Sequence, residues 1–246
     1  MEYTKMKYLF GMSFFLAACA NKEDCVSGQD SDADGLDDCV ELEMGTDANL
    51  ADSDGDGFTD AEELDCVSDP LKGDEVCYAC GWEHNDPDTL TSTGNEEGDV
   101  IANLLMSDQC GDEVNLWDFH GGYNLLYMTV GWCNTCINEA AELQTVQDEF
   151  IAETNLDFQF LLVLYESYTG YPAEPEDGIA FAEEIGNPSF PVFTDGKDMV
   201  VDATPLTINP KREVCALSPE LEIIGCFTGY DGYEYALDAI KEHAGL

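Results

Sequence analysis

Two patterns in this 246-residue chain carry residues able to do chemistry. The first is Trp132-Cys133-Asn134-Thr135-Cys136, two thiols at CxxC spacing. At the start of a helix, Cys133 would meet the positive end of the peptide dipoles, which favours a thiolate. Cys136, one turn further in, could then attack a mixed disulfide formed on Cys133. A static disulfide or a metal knuckle would need the same two residues, but a CxxC between a strand and a helix favours redox chemistry. The second pattern is a pair of acidic runs. Asp30, Asp32, Asp34 and Asp38 occupy positions 1, 3, 5 and 9 of a twelve-residue loop, with Gly35 at position 6 and Glu41 at position 12. Asp52, Asp54, Asp56, Asp60, Gly57 and Glu63 repeat the arrangement 22 residues later.

A calcium ion takes 6–8 oxygen ligands, and alternating Asp side chains converge on one point. The glycine permits the sharp turn, and a glutamate at position 12 can bind through both oxygens. Leu36 and Phe58, at position 7, would each offer a backbone carbonyl and bury their side chains. Residues 30–65 hold 15 acidic residues and no basic one, which alone would describe a solvated spacer. Two complete loops argue for calcium instead, and no organic cofactor is expected.

The elements that must position the thiols follow from Val100 onward, where strand-like and helix-like stretches alternate in the manner of an α/β domain. Leu116–Phe119 reads as a short extended piece and Tyr123–Val130 as a buried strand. Cys136–Thr154 reads as one amphipathic helix, with Ala140, Leu143, Val146, Phe150 and Ile151 on one face. Phe158–Tyr165 is apolar almost throughout, as in a central strand covered on both faces. Asp177–Ile185 and Gly232–His243 read as helices, and Phe190–Phe193, Val214–Leu217 and Ile223–Phe227 as strands. Folding the last two about Pro219-Glu220 sets Cys215 opposite Cys226, within disulfide reach. Cys80 is further expected to pair with Cys110, and Cys25 with Cys39. Cys77-Tyr78-Ala79-Cys80 lacks a second ligand pair for zinc, so structural disulfides are the better reading there.

Residues 116–139 resemble the thioredoxin-like redoxins of bacterial envelopes. The approach Leu116-Trp117-Asp118-Phe119-His120-Gly121, the apolar strand, and Trp132, Cys133, Cys136 and Glu139 carry the resemblance, which extends over about 98–246. It implies a thioredoxin-like fold, a central mixed sheet flanked by helices. It also implies Cys133 as the attacking thiol, Cys136 as the resolving one and Glu139 as the carboxylate that tunes their proton transfer. A cis-proline against the cysteine pair would fall on Pro210, with Pro205 as second choice. Lys211 stands where that family has a threonine, and Ala140-Ala141 where it has a proline after the acid. A peroxidase is disfavoured, because Leu126 and Val130 replace the proline and threonine of the peroxidatic pattern and Arg212 is the single arginine. His120 is placed in a loop near the cysteines, as a surface residue. Residues 30–70, with Gly45-Thr46-Asp47 between the loops, resemble bacterial thrombospondin type 3 repeats, which implies a calcium-ordered stalk. Dockerin modules share the period but need a longer helix after each loop than Cys39–Met44 allows.

The first residues concern compartment. Lys5 and Lys7 precede an apolar run from Tyr8 to Phe15, too short to span a membrane comfortably. Leu16-Ala17-Ala18-Cys19 resembles a bacterial lipoprotein signal, which implies acylation of Cys19. Ala20 after it points to the outer rather than the inner membrane; a simple secretory cleavage near Ala18 or Ala20 is the alternative. Eleven cysteines fit an oxidising compartment. Eight basic residues against 53 acidic ones, a net charge of −45, exclude general nucleic-acid binding and a basic membrane-docking patch.

The expected organisation is a signal peptide over 1–18, a tether over 19–29, calcium-binding repeats over 30–72, a cysteine-containing connector over 73–98 and a thioredoxin-like domain over 99–246. The expected function is a lipid-anchored envelope thiol–disulfide oxidoreductase acting as a reductant. Its partners would be protein thiol or disulfide clients and an electron donor, and it would meet the membrane only through its anchor. The rival is a calcium-dependent binding or adhesion lipoprotein on a non-catalytic thioredoxin-like scaffold.

Overall fold

A computed structural model describes residues 27–66, 68–73, 77–82, 90–194, 199–205, 213–229 and 231–246. Cys19, Cys25 and Pro210, with the expectations attached to them, lie outside the described residues, as do residues 1–18, expected above to be a signal peptide.

The acidic loops each lead into a seven-residue helix, α1 (Asp38–Met44) and α2 (Asp60–Cys66). Helices this short do not hold in water unaided, and side chains secure both. Asp37 caps α1 by accepting from the Cys39 amide at 2.9 Å, and Gly45, at φ 100°, closes it. Within each loop the first aspartate accepts two amides: Asp30 from Ala33 and Gly35, Asp52 from Gly55 and Gly57. Gly35 and Gly57 have φ of 110° and 109°, a conformation that a Cβ would strain. Leu36 and Phe58 are half-buried rather than buried, because so short a stretch builds little core to receive them.

The C-terminal part centres on a seven-stranded sheet in the order β2-β1-β5-β4-β3-β6-β7. Its strands are β1 (Leu105–Ser107), β2 (Glu113–Asn115), β3 (Tyr123–Val130), β4 (Phe158–Glu166), β5 (Val192–Thr194), β6 (Glu213–Leu217) and β7 (Ile223–Thr228). β3, β4 and β5 run parallel; β6 is antiparallel to both β3 and β7. β1 and β2 were not legible in the sequence, being three residues each with only Met106 and Val114 buried. The segment expected to be extended at Leu116–Phe119 is a 3-10 turn, closed by reciprocal capping between Asn115 and Asp118.

Both sheet faces are covered, which accounts for the continuous apolar runs in β3 and β4. One face packs Leu126, Met128, Leu161, Val163 and Leu217 against Ile101, Leu104, Leu116 and Phe119, with Val200 and Ala203 of α6 (Met199–Ala203). The other packs Leu125, Tyr127, Phe160, Leu162 and Ala216 under the remaining helices. These are α3 (Asn134–Ala140), α4 (Leu143–Thr154), α5 (Pro175–Glu184) and α7 (Gly232–Ala244). The single helix expected over Cys136–Thr154 is thus two. The Glu142 amide bonds the Glu139 carbonyl three residues back, and this tightening separates α3 from α4 while Ala140 and Leu143 both stay buried on the sheet. No proline or glycine announces the break. α5 starts two residues earlier than expected, on Pro175, with Glu174 and Asp177 capping each other. The parallel strands, the antiparallel final hairpin and the helices on the sheet make a thioredoxin-like α/β fold.

Candidate functional site

The CxxC pair lies where β3 passes into α3. Gly131 makes the passage possible: a Cβ there would come within 3.0 Å of the Tyr168 backbone nitrogen in the loop after β4. Cys133 is the N-cap of α3, and its Sγ accepts from the Cys136 amide at 3.2 Å. The two cysteines form a disulfide with Cα atoms 5.2 Å apart. Cys133 is half-buried, whereas Cys136 is 3% exposed. A partner sulfur can therefore reach Cys133 while Cys136 waits behind it.

Four side chains that sequence reading missed lie on β3 and its two neighbouring strands: Tyr127, Tyr165, Glu166 and Glu213. Tyr127, fully buried in β3, donates from its hydroxyl to Glu139 Oε1 at 2.9 Å. Exposed Trp132 donates from Nε1 to Glu166 Oε2 at 2.6 Å, across to the end of β4. Glu213, 3% exposed, opens β6 opposite Met128 on the sheet face that includes Tyr165. Burial, with the charges of Glu166 and Glu213, pushes the Tyr165 hydroxyl up to about 12. A buried tyrosine and the acids at strand ends give no signature in one sequence. Pro205, the second choice for the cis-proline, does not qualify: no peptide bond among the described residues is cis. His120 is not near the cysteines. It precedes β3, whose eight residues carry the chain roughly 25 Å before Cys133, and lines a separate cavity of about 310 Å³ with Trp82, Asp157 and Gln159.

The acidic loops form two candidate metal centres of the same build. Asp30, Asp32 and Asp34 bring carboxylate oxygens within 4.8 Å of one another, as do Asp52, Asp54 and Asp56. Glu41 and Glu63 are fully buried. Both Glu41 oxygens, Asp32 Oδ2, Asp54 Oδ2 and Glu63 Oε2 are buried without a hydrogen-bond partner. Buried carboxylate oxygens left unpaired are costly, and a hard cation ligated by oxygen would satisfy them. Burial first, then the charges of Asp32 and Asp34, push Glu41 up to about 7. Burial, then Asp54 and Asp56, push Glu63 up to about 7, against the lowering effect of Ser68. Asp32 and Asp54 are raised as well, again mainly by burial. Asp38 and Asp60 are already engaged: each takes the amide and hydroxyl of a serine, Ser31 and Ser53, at 2.7–2.8 Å. The loops also touch each other, since the Ala61 amide donates to Asp34 Oδ2 at 3.3 Å.

Three further disulfides are present among the described residues. Cys215 and Cys226 pair across β6 and β7 in the expected register, with Cα atoms 4.1 Å apart. Cys80 pairs with Cys110, also as expected, and Cys66 pairs with Cys77, a bond the sequence did not disclose. The two cysteines of Cys77-Tyr78-Ala79-Cys80 thus point to different partners. Tyr78 between them is buried against the sheet and donates to Asp118 at 2.6 Å.

Residues 52–73 match the family model of the bacterial TSP3 repeat. No curated protein is significantly similar to the chain. Among solved structures it is similar to a provisionally assigned protein disulfide isomerase from Bacteroides thetaiotaomicron, at 18% identity over 62% of this chain and 92% of that one, TM-score 0.45. It is similar to the peroxidoxin BcpB of Mycobacterium tuberculosis, at 15% identity over 60% and 97%, TM-score 0.49. It is also similar to Arabidopsis thaliana ScoI, at 12% identity over 58% and 99%, TM-score 0.45.

Proposed function

We propose that this chain is a thiol–disulfide oxidoreductase of the cell envelope, held to the membrane by an acylated Cys19, raised on a calcium-ordered stalk and working as a reductant. The observation that carries the redox reading is the unequal exposure of the CxxC pair at the start of α3: Cys133 reachable, Cys136 buried behind it. In the reducing direction the Cys133 thiolate attacks one sulfur of a client disulfide. A mixed disulfide forms and the client's other sulfur leaves as a thiolate. Cys136 gives up its proton, for which Glu139, one helical turn on, is the nearest carboxylate by sequence. Its sulfur then attacks Cys133 Sγ, releasing the second client thiolate and closing the Cys133–Cys136 disulfide. Two electrons pass to the client, and an external dithiol donor restores the pair.

Asp30, Asp32, Asp34, Glu41 and the Leu36 carbonyl would hold one calcium ion; Asp52, Asp54, Asp56, Glu63 and the Phe58 carbonyl would hold another. Asp38 and Asp60 would act through water, as position 9 of such loops commonly does. The ions would neutralise the crowded carboxylates and order the stalk. The test of the redox reading is insulin reduction with dithiothreitol as donor: the wild-type chain should accelerate precipitation and Cys133→Ser should not. Equal rates for the two would leave the fold a scaffold and favour a calcium-dependent binding role.

A further inference from the structure

We infer that Cys66–Cys77 is a second redox-responsive site, and that its state and the calcium occupancy of the second loop control each other. This rests on the calcium reading above. Glu63, the position-12 glutamate, lies in α2 one turn before Cys66. Ser68, 7% exposed, joins the two: its Oγ is 3.3 Å from Glu63 Oε1, 3.4 Å from Cys66 Sγ and 3.6 Å from Cys77 Sγ. The Ser68 amide donates to the Glu63 carbonyl at 2.9 Å, and Cys66 Sγ lies 3.2 Å from the same oxygen. Cys77 Sγ is 3.7 Å from the Glu62 carbonyl. The disulfide thus lies against the C-terminal turn of the helix whose Asp60 and Glu63 belong to the loop.

A seven-residue helix is not stable alone. α2 is clamped at its start by the loop and at its end by this disulfide, so the two clamps favour one ordered state. Whatever raises the stability of that state through one raises it for the other, by the same factor in both directions. Cys66 and Cys77 are both half-buried rather than sealed in the core, so a dithiol can reach the bond. In that exchange two electrons and two protons pass from the dithiol to the disulfide. The Cys66–Cys77 bond breaks, two thiols form, and the dithiol becomes a disulfide. The C-terminal turn of α2 then loses its clamp, and Glu63 is no longer held at its position. Conversely, Glu63 engaged by a calcium ion would hold α2 in the geometry in which the sulfurs meet, and so would protect the bond.

The experiment is calcium calorimetry on the full chain carrying Glu41→Gln, so that the second loop is read alone, with and without the paired change Cys66→Ser and Cys77→Ser. Loss of the disulfide should weaken that site about tenfold, within the ~5–150-fold range of coupling between linked sites. The first loop, read in Glu63→Gln, should change less than twofold. A second measurement keeps the wild-type chain: dithiothreitol titration with alkylation mapping, at millimolar calcium and with chelator. Calcium should raise the reductant ratio needed to open Cys66–Cys77 about tenfold, about 30 mV, and leave Cys215–Cys226 unmoved. Second-loop affinity unchanged by the double substitution, or a reduction midpoint indifferent to calcium, overturns the coupling while calcium binding stands. A wild-type chain that takes up no calcium overturns the calcium reading, and the coupling with it.

Discussion

Tyr127 Oη and Glu139 Oε1 lie 2.9 Å apart, joining the centre of β3 to the last turn of α3. Tyr127 has no exposed surface, so its hydroxyl has no water to turn to and holds the carboxylate in one orientation beside the helix that carries Cys136. Glu139→Gln should slow insulin reduction by about 10²-fold, the lower end of what a positioned acid or base contributes, with Cys133 alkylation unchanged. Tyr127→Phe should fold, lose about 1.5–3 kcal/mol for a hydrogen bond to a charged group, and slow resolution of the mixed disulfide without changing its formation. Stopped-flow kinetics separate the two steps; an effect on formation alone would count against this role.

The potential of the Cys133–Cys136 pair should lie nearer −270 mV than −120 mV, the thioredoxin and strong-oxidant values. Asn134 and Thr135 between the cysteines are neutral. Residues 76–246 carry 32 acids against 4 bases, and Glu166 sits on the indole next to Cys133. Negative surroundings disfavour a thiolate, and salt screens all but the near charges. Redox titration against glutathione checks the value; one above about −180 mV, the disulfide-isomerase reference, would make the pair an oxidant or isomerase.

Calcium binding should strengthen as pH rises. Without the ion, Glu41 and Glu63 protonate near 7 in the folded stalk, against about 4.3 for an unfolded glutamate. Between those values the folded stalk holds more protons than the unfolded chain. Its ion-free stability therefore falls as pH climbs through that interval, while calcium, which displaces those protons, binds more tightly. Calorimetry at pH 6 and pH 8 should show the tighter binding at pH 8, and the ion-free stalk should resist protease better at pH 5 than at pH 8. A pH-independent affinity would mean that neither glutamate reaches the ion.

The Cys215–Cys226 bond should be structural. Cys215 is fully buried in β6 and packs with Leu217 and Leu126. Replacing both cysteines by serine should cost about 2–5 kcal/mol, the usual loss for a native disulfide, and lower the Tm without moving the Cys133–Cys136 potential. A potential that shifts with this change would place the two disulfides in one exchange network.

Membrane attachment should depend on Cys19. The chain has 8 basic residues in 246, so nothing basic replaces an acyl anchor on an anionic surface. Cys19→Ser should leave the protein in the soluble envelope fraction; a mutant that still partitions with membranes would contradict acylation.

Both chemical patterns were legible in the residues because each is local. The twelve-residue loops bond within themselves, Asp30 to Gly35 and Asp52 to Gly57, so spacing alone determined their shape. The place of the CxxC between β3 and α3, and the Cys215–Cys226 register, followed from runs of apolar residues and one turn. What depended on packing was decided only in three dimensions. The split of the expected helix into α3 and α4 comes from a bond between Glu142 and Glu139 that no breaker residue signals. The partnerships of Tyr127 with Glu139, Trp132 with Glu166 and Cys66 with Cys77 join residues 11 to 34 positions apart. Sequence distance sets no limit on such contacts once the sheet and connector bring the chain together, and neither composition nor periodicity records which side chains then meet.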